Sequence, residues 1–202
     1  MWNGGNGEET LDYRWASGVE PGTPAAVGSV EHHIDPSAMP ANTEKILLRP
    51  AAPSDVPLIL QLIQELADYE KLRHEAIATE GLLQEHLFGP SPSAEVLIAE
   101  WDHAPAGFAL YFRTFSTFLG RPGIYLEDLY VRPQYRGNGL GRSLLVHLAK
   151  VAVARGYGRV EWAVLNWNAP SIGFYQSLGA TPLDEWTGYR LTGDALVQLA
   201  AD

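Results

Sequence analysis

The part of this 202-residue chain best suited to chemistry is a basic, glycine-rich stretch at residues 135–142, with the sequence YRGNGLGR. The chain has a formal net charge of −10, yet residues 129–160 contain no acid and hold six of its fourteen basic side chains. That segment therefore carries about +6 and the remainder about −16, from eight bases against 24 acids. A glycine turn that leads into a helix presents free backbone N–H groups at the positive end of the helix dipole. The stretch is therefore suited to bind a phosphate-bearing ligand.

The composition excludes several other classes of protein. The chain has no cysteine, so it has no disulfide, no thiolate metal site and no cysteine nucleophile. Its acidic balance argues against general nucleic-acid binding. No apolar run approaches the roughly 20 residues that span a bilayer, and the N-terminus lacks the pattern of a signal peptide. We therefore expect a cytoplasmic protein that binds neither nucleic acid nor membrane.

Residues 1–44 differ in pattern from the rest of the chain. They contain many glycine and proline breakers and show no sustained period, which predicts a flexible N-terminal extension. Within it, His32 and His33 are expected to be a solvated loop pair. Met39 lies just before the periodic pattern begins, and one hypothesis is that it is the natural start. Residues 45–202 are predicted to be the folded domain.

From residue 45 onward, strand and helix patterns alternate. Strands are predicted at residues 45–50, 96–100, 107–114, 124–131 and 160–165, with two short candidates around Thr181 and Tyr189. Helices are predicted from Ser54 or Asp55 to Tyr69, over 79–87, from the glycine stretch to about Arg155, and from Pro170 to Gly179. This order predicts a mixed α/β sheet and not a strict βαβ repeat.

Three loop motifs compete for the glycines at residues 137–141. A Walker A loop needs Gly-x4-Gly-Lys-Ser/Thr, and the glycines here are too close together. A dinucleotide-binding fingerprint needs a glycine where Arg142 stands, and no parallel βαβ context supports it. The remaining pattern is Arg-x-x-Gly-x-Gly, formed by Arg136, Gly139 and Gly141 between a strand and a helix. It resembles the pyrophosphate-binding motif of the GCN5-related N-acetyltransferases (GNAT), although a structural loop would have the same composition.

Other segments carry the same resemblance, in the right order along the chain. They are residues 49–51, 65–70, 125–131 and 166–175, with 178–180 after them. With the glycine motif, they make the chain resemble the spermidine/spermine (diamine) N-acetyltransferase branch of the GNAT superfamily over roughly residues 46–200. The resemblance implies an α/β GNAT fold, with a mixed central sheet whose central strands splay apart and whose faces are flanked by helices.

The resemblance also implies that acetyl-CoA is the acetyl donor. Its pyrophosphate would lie on the glycine loop and its pantetheine arm along the preceding strand, with further contacts from the helix that begins near Pro170. The implied cofactor-binding residues are Leu129, Tyr130, Val131, Arg136, Gly137, Asn138, Gly139, Leu140, Gly141, Arg142, Asn168 and Ser171. No metal is expected, because the six histidines are scattered and none pairs at the spacing of a helical metal site.

Two residues match the positions that perform catalysis in that family. An alkylammonium has a pKa of about 10.4 and cannot attack a thioester until it loses a proton. Glu127 is predicted as the base, through water, because a carboxylate in an apolar strand is costly to ionise. Tyr175 matches the general acid that protonates the CoA thiolate. Asp128 would point to the opposite face of a regular strand, unless a bulge intervenes, and transfer is expected to be direct.

The implied amine pocket departs from that of the polyamine enzymes. The residues that match its substrate contacts are Tyr69, Glu70, Glu127, Glu161, Trp162, Ala163 and Thr187. Two acids are missing, because Ser116 replaces an aspartate and Thr187 replaces a glutamate, and each lost contact weakens binding by about 1.5–3 kcal/mol. We therefore predict a small-molecule primary amine, either a diamine or polyamine or a thialysine-like amino acid whose carboxylate would meet Arg113.

Two other functions fit the same fold. One is a catalytically silent acyl-CoA-binding sensor or interaction module, and the other is a protein N-acetyltransferase. The pairing of Glu127 with Tyr175 favours an enzyme over the sensor. The resemblance also implies a homodimer, for which the apolar side chains Phe112, Phe115, Phe118 and Leu119 are candidate contacts, although core packing explains them about as well.

Overall fold

The computed structural model describes residues 43–201. The predicted extension, with His32, His33 and Met39, lies outside the described residues apart from its last two positions. The strands are β1 (Ile46–Pro50), β2 (Glu95–Trp101), β3 (Ala104–Ser116), β4 (Arg121–Val131) and β5 (Val160–Trp162). The α-helices are α1 (Val56–Glu70), α2 (Glu80–Phe88), α3 (Leu140–Ala154), α4 (Ala169–Ser177) and α5 (Gly193–Ala200).

The strands form one mixed sheet in the order β1-β2-β3-β4-β5. The first three pairs are antiparallel, and β4 pairs with β5 in parallel. The β2–β3 connection is a tight turn in which Asp102 and His103 have positive φ values of 51° and 65°. A mixed sheet with helices between its strands is the architecture that the element order predicted, and this prediction is confirmed.

The sheet is apolar on both faces because successive residues of a strand point to opposite sides. In β2, Leu97 and Ala99 join the core beneath α3, whereas Val96 and Ile98 join the core beneath α1 and α2. A strand that is covered on both sides reads as a continuous apolar run, as β2 does.

The two helix layers cover the sheet through apolar stripes at helical spacing. In α3, the stripe is Leu140, Leu144 and Leu148, each four residues from the last and each at most 1% exposed. In α1, Ile59 and Leu62 are fully buried. The strand β4 therefore has apolar side chains packed on both faces, with Leu126 in the core beneath α3 and Tyr130 in the core beneath α1.

The strands β4 and β5 stay together over three residue pairs only. Their register runs from Ile124 opposite Val160 to Leu126 opposite Trp162, where β5 ends. The rest of β4, residues 127–131, has no partner on that side among the described strands. This separation is the splay that the family resemblance implied.

Two local predictions differ from the structure. The strand predicted at 160–165 ends at Trp162. The helix after β1 has no side-chain cap at Asp55, because that carboxylate accepts hydrogen bonds from Arg49 (Nη1 at 2.7 Å) and from the backbone of Ala52. The helix predicted over 79–87 is observed as α2, and Thr79 caps it, since its Oγ1 accepts from Leu82 N at 3.3 Å.

The C-terminal strand predictions are wrong. Neither Thr181 nor Tyr189 lies in a strand, and the last described element is the helix α5. A strand needs a neighbour to satisfy its backbone groups, and these residues pair with none of the described strands. Among residues 43–201, no helix is long and apolar enough to cross a membrane.

Candidate active site

A cavity of about 500 Å³ opens where β4 and β5 separate. Its walls come from the end of α1, the second half of β4, the glycine loop, the residues after β5 and one side of α4. The predicted site residues that line it are Tyr69, Glu70, Glu127, Leu129, Tyr130, Val131, Arg136, Gly137, Gly139, Leu140, Gly141, Arg142, Ala163, Asn168, Ser171 and Tyr175. Residues that are up to about a hundred positions apart in the chain therefore share one cavity.

The glycine loop forms an anion cradle at the start of α3. Gly137 and Gly139 have φ values of +79° and +89°, a region that side chains rarely adopt. The helix begins after Gly139, and no described side chain caps its first N–H groups. Asn138 stabilises the loop, because its Nδ2 donates a hydrogen bond to the carbonyl of Tyr135 at 3.1 Å. The first-turn amides are therefore left for a ligand.

Arg136 joins the loop to the end of β4. Its Nε donates to the carbonyl of Val131 at 2.8 Å. Its guanidinium lies 4.6 Å from the ring centroid of Tyr69 and 5.7 Å from that of Tyr130, in cation–π geometry. Arg136 is thus fixed by protein groups, whereas Arg142 is exposed at the cavity rim. Arg142 is the side chain better placed to offer its charge to an anion.

A β-bulge at Glu127 brings two consecutive acids to the cavity. Opposite β3, Leu110 pairs with Asp128 and Tyr111 pairs with Leu126, so Glu127 is the extra residue. Both carboxylates line the cavity, which a regular strand would not allow. Glu127 is exposed, which corrects the expectation that it lies in an apolar setting. The sequence placed Asp128 on the other face of a regular strand unless a bulge intervened, and it left the role of Asp128 open.

Asp128 is the carboxyl group with the most perturbed environment in the cavity. Burial, which is the largest cause, and the negative charges of Glu127 and Glu70 together raise its pKa to about 7. Burial also raises the pKa of Glu70, which ends α1. The three acids therefore form one electrostatically coupled group, contributed by β4 and α1.

Tyr175 faces this group from α4. Its ring packs on Trp162, with the centroids 5.0 Å apart, and on Phe174 at 5.4 Å. Burial raises the pKa of Tyr175, and the charge of Glu70 adds to the effect. The phenol is therefore protonated at neutral pH and can act as an O–H donor in the cavity.

Asn168 links α4 to α1 at the cavity wall. Its side chain is 6% exposed, and Oδ1 accepts from Ser171 N at 3.4 Å as the N-cap of α4. The same oxygen accepts from Tyr69 Oη at 3.2 Å. Tyr69 also lies against Trp167, with the ring centroids 5.9 Å apart. These contacts fix the direction of α4 and therefore the place of Tyr175.

Four predicted site residues are not among those that line the cavity. Glu161 forms an ion pair with Arg159, with Nε and Oε2 2.6 Å apart. Trp162 supports Tyr175 from behind, and Asn138 holds the loop. Thr187 is exposed in the segment between α4 and α5.

The structure does not bring Arg113 to the cavity. Arg113 opposes Ile124 in the β3–β4 ladder, and Ile124 belongs to the core beneath α3. Strand alternation therefore puts Arg113 on the α3 face, whereas Phe112 and Tyr125 stack on the other face with their ring centroids 5.3 Å apart. The predicted contact between Arg113 and a substrate carboxylate lacks the geometry it needs.

The fold and the sequence agree on the class of protein. The model of the acetyltransferase (GNAT) family matches residues 59–180, more than half of the chain. The chain therefore belongs to the GNAT family. GNAT enzymes use acetyl-CoA, so the chain is an acetyl-CoA-dependent N-acetyltransferase. Within residues 43–201, no three His, Asp or Glu side chains come together as a metal site would require.

Two relatives with named acceptors match most of this chain. The chain is 39% identical to a thialysine N-epsilon-acetyltransferase from Sus scrofa, over 77% of this chain and 97% of that one. It is 35% identical to the L-ornithine N5-acetyltransferase NATA1 from Arabidopsis thaliana, over 74% and 85%. Both relatives are named for acetylation of an amino acid side chain.

Solved structures share the same architecture. The integron cassette protein VCH_CASS6 from the mobile metagenome of V. cholerae superposes with a TM-score of 0.67 and 26% identity, over 78% of this chain and 99% of that one. An aminoglycoside acetyltransferase, meta-AAC0020, from a soil metagenomic sample superposes with a TM-score of 0.64, over 75% of this chain and 99% of that one. At 18% identity, the second comparison shows the fold alone.

Proposed function

We propose that this enzyme transfers the acetyl group of acetyl-CoA directly to the primary amine of a small amino acid of the thialysine or ornithine type. The observation that carries the proposal is the single cavity that joins the anion cradle at α3 to a group of carboxylates and a tyrosine. One end suits a diphosphate, and the other suits an ammonium group that must lose a proton. The absence of cysteine agrees with transfer that forms no thioester on the protein.

The cofactor end offers acetyl-CoA hydrogen-bonding groups that no side chain of the described residues uses. The diphosphate would lie against the first-turn amides of α3, with Arg142 beside it. The pantetheine arm would run along Leu129 and Tyr130, whose outer edge has no partner strand in the described region. The same edge offers backbone N–H groups that would polarise the thioester carbonyl.

The acceptor end supplies the two proton transfers. The acids Glu70, Glu127 and Asp128 attract a cationic amine, and one carboxylate takes its proton. The neutral amine nitrogen then attacks the carbonyl carbon, the C–S bond breaks, and the nitrogen loses its second proton to solvent as the amide forms. A thiol has a pKa of about 8.5 on the cysteine scale, so a donor assists its departure. Tyr175, protonated because burial raises its pKa, serves as that donor.

The acceptor is proposed to be an amino acid and not a polyamine. Ser116 is 4% exposed and its Oγ accepts from Leu119 N at 3.2 Å, so it supplies no substitute for the missing acid. Arg190 lies within electrostatic reach of Tyr125, because burial, Glu127 and Glu161 raise the pKa of that tyrosine and Arg190 lowers it. Arg190 would meet the acceptor's carboxylate, the role predicted for Arg113.

The test is release of free CoA thiol with thialysine, ornithine, lysine, spermidine and a short peptide as acceptors. We expect turnover with the amino acids and a lower kcat/KM for spermidine. Arg190→Ala should raise KM for the amino acids at least about tenfold, while the matched variant Arg113→Ala should leave it unchanged. Tight acetyl-CoA binding without turnover on any acceptor would overturn the proposal and favour a sensor.

We further propose that the enzyme is a cytoplasmic homodimer and that residues 45–202 suffice for catalysis. Large exposed apolar side chains support the dimer, among them Phe115 near the end of β3, Phe118 and Leu119 in the turn after it, and Trp186 and Leu199 near the C-terminus. Light scattering after size exclusion tests the dimer, and the activity of a chain that begins at residue 45 tests the domain boundary. A monomer at working concentration would overturn the first point.

A further inference from the structure

A row of alternating cationic and aromatic side chains runs beside the active-site cavity. The Lys71 ammonium lies 5.9 Å from the ring centroid of Trp167, and the ring centroids of Trp167 and Tyr69 are 5.9 Å apart. On the other side of Tyr69, the Arg136 guanidinium lies 4.6 Å from its ring centroid and 5.7 Å from that of Tyr130. These separations are those of cation–π and aromatic pairs. Each member of the row therefore contacts the next.

The row joins segments that are distant in the chain, and Tyr69 is its middle member. Tyr69 lies in the last turn of α1. Trp167 directly precedes the N-cap of α4, and Arg136 directly precedes the first glycine of the loop. Tyr69 is therefore placed to hold the glycine loop and the start of α4 relative to each other.

The Tyr69 hydroxyl makes a further connection to α4. It donates to Asn168 Oδ1 at 3.2 Å, and the same oxygen accepts from Ser171 N at 3.4 Å as the N-cap. Asn168 is 6% exposed, so little water is present to replace a lost hydrogen bond. Tyr175 lies about two turns further along the same helix. A tilt of α4 at its N-cap is therefore passed on to the Tyr175 phenol.

The Tyr69 ring acts on the other end of the cavity. Arg136 is held at one atom by the carbonyl of Val131, to which its Nε donates at 2.8 Å. The rest of its guanidinium is held by the rings of Tyr69 and Tyr130. Gly137 follows Arg136 directly, so these contacts fix where the anion cradle begins. Loss of the Tyr69 ring would free the guanidinium and loosen the loop.

We propose that Tyr69 is a positioning residue with two separable roles: its hydroxyl places Tyr175 through Asn168, and its ring places the glycine loop through Arg136. The inference rests on the proposed function and adds a residue that acts on both ends of its site. The resemblance implied a substrate contact for Tyr69. In the structure its hydroxyl hydrogen is used by Asn168, so that hydrogen is not offered to an acceptor.

The experiment compares Tyr69→Phe and Tyr69→Leu with the wild type in the full chain, by release of CoA thiol with ornithine and by calorimetry with acetyl-CoA. Tyr69→Phe removes the hydroxyl alone, so kcat should fall about 3- to 10-fold, with the acceptor KM and the Kd for acetyl-CoA unchanged. Tyr69→Leu also removes the ring, so the Kd should rise about 3- to 10-fold as well. Tyr111→Phe is the matched control, because it loses a hydroxyl bond to Glu95 of 3.3 Å outside the cavity. Its kcat should equal that of the wild type.

A double-mutant cycle tests whether the Tyr69 hydroxyl acts through Tyr175. In a Tyr175→Phe background the proton donor is absent, so the addition of Tyr69→Phe should leave kcat unchanged. A full loss in that background, or a raised acceptor KM with unchanged kcat for Tyr69→Phe alone, would overturn the inference and leave the proposed function standing. A wild-type Kd for Tyr69→Leu would overturn the role of the ring. If the wild type acetylates no amine, the proposed function fails and the hydroxyl role fails with it, while calorimetry still decides the role of the ring.

Discussion

The two ends of the active-site cavity are built in different ways. The cofactor end is one continuous stretch, residues 136–142, whose geometry follows from glycines with positive φ and from the start of α3. The acceptor end joins α1, β4 and α4 through Glu70, Asp128 and Tyr175. The first end binds an anion with backbone groups that any such loop presents. The second end depends on burial and on charges from distant segments. The folded protein therefore carries electrostatic strain at this end.

The largest expected effect separates chemistry from binding at the acceptor end. Tyr175→Phe removes the proposed proton donor and keeps the ring contacts with Trp162 and Phe174. We expect kcat to fall by a factor of about 10²–10³, with the Kd for acetyl-CoA unchanged in calorimetry. Tyr157→Phe is the matched control, because Tyr157 packs against the core beneath α3 and does not line the cavity. Equal losses in both variants would remove Tyr175 from the mechanism.

The next effect tests the charge of the cofactor end. Arg142→Ala should weaken acetyl-CoA binding about tenfold or more, the loss expected for one charge-assisted contact. Lys150→Ala is the control, since Lys150 is exposed on the same helix and does not line the cavity. Calorimetry at two salt concentrations measures both variants. A wild-type Kd for Arg142→Ala would show that the backbone amides alone hold the diphosphate.

The buried acid of the acceptor end should lower the stability of the folded protein as the pH rises. Because the folded-state pKa of Asp128 is raised to about 7, folded protein binds a proton that unfolded chain releases above its ordinary value of 3.8. Stability is therefore lost as the pH rises from about 4 to about 7. Asp128→Asn removes this loss and should be more stable than the wild type at pH 8, by about 1–3 kcal/mol.

Denaturant unfolding of the wild type and of Asp128→Asn at pH 4 and pH 8 measures this loss of stability. The difference in their free energies of unfolding should be small at the lower pH and should favour the variant at the higher pH. A variant that is less stable than the wild type at pH 8 would contradict the electrostatic strain assigned to the acceptor end.

The smallest effect concerns the backbone of the cofactor end. Gly139→Ala forces a side chain into a φ of +89° and should lower the free energy of unfolding by about 1–2 kcal/mol, with weaker acetyl-CoA binding. Gly173→Ala in α4 is the control, because a Cβ there meets open space and φ is not positive. It should stabilise the helix by about 0.5–1 kcal/mol. Thermal and denaturant melts compare the two variants, and equal stability would contradict the strain argument.

Much of the fold could be predicted because its signals are local. The apolar stripes of α1 and α3 and the continuous apolar run of β2 each lie within about fifteen residues of sequence. The C-terminal strands at Thr181 and Tyr189 could not be predicted correctly. Their short apolar patterns carry no information on whether a neighbouring strand is present.

The candidate site divides in the same way. The Arg-x-x-Gly-x-Gly pattern gave the position of the anion cradle, because glycine at positive φ is a property of the residue itself. The sequence also pointed to Glu127, but it could not assign a role to Asp128. Whether a strand bulges depends on how its partner, here Leu110 and Tyr111 of β3, fits across the ladder.

By itself, the sequence determined the family, the anion-binding loop and the alternation of elements, because each follows from residue type and short-range spacing. Only the tertiary structure decided which acid is buried, that Arg113 faces away from the cavity and that Glu70 acts on both Asp128 and Tyr175. Burial and charge coupling depend on distances between segments far apart in the chain. Those distances are set by how the sheet and helices pack, and no local pattern records them.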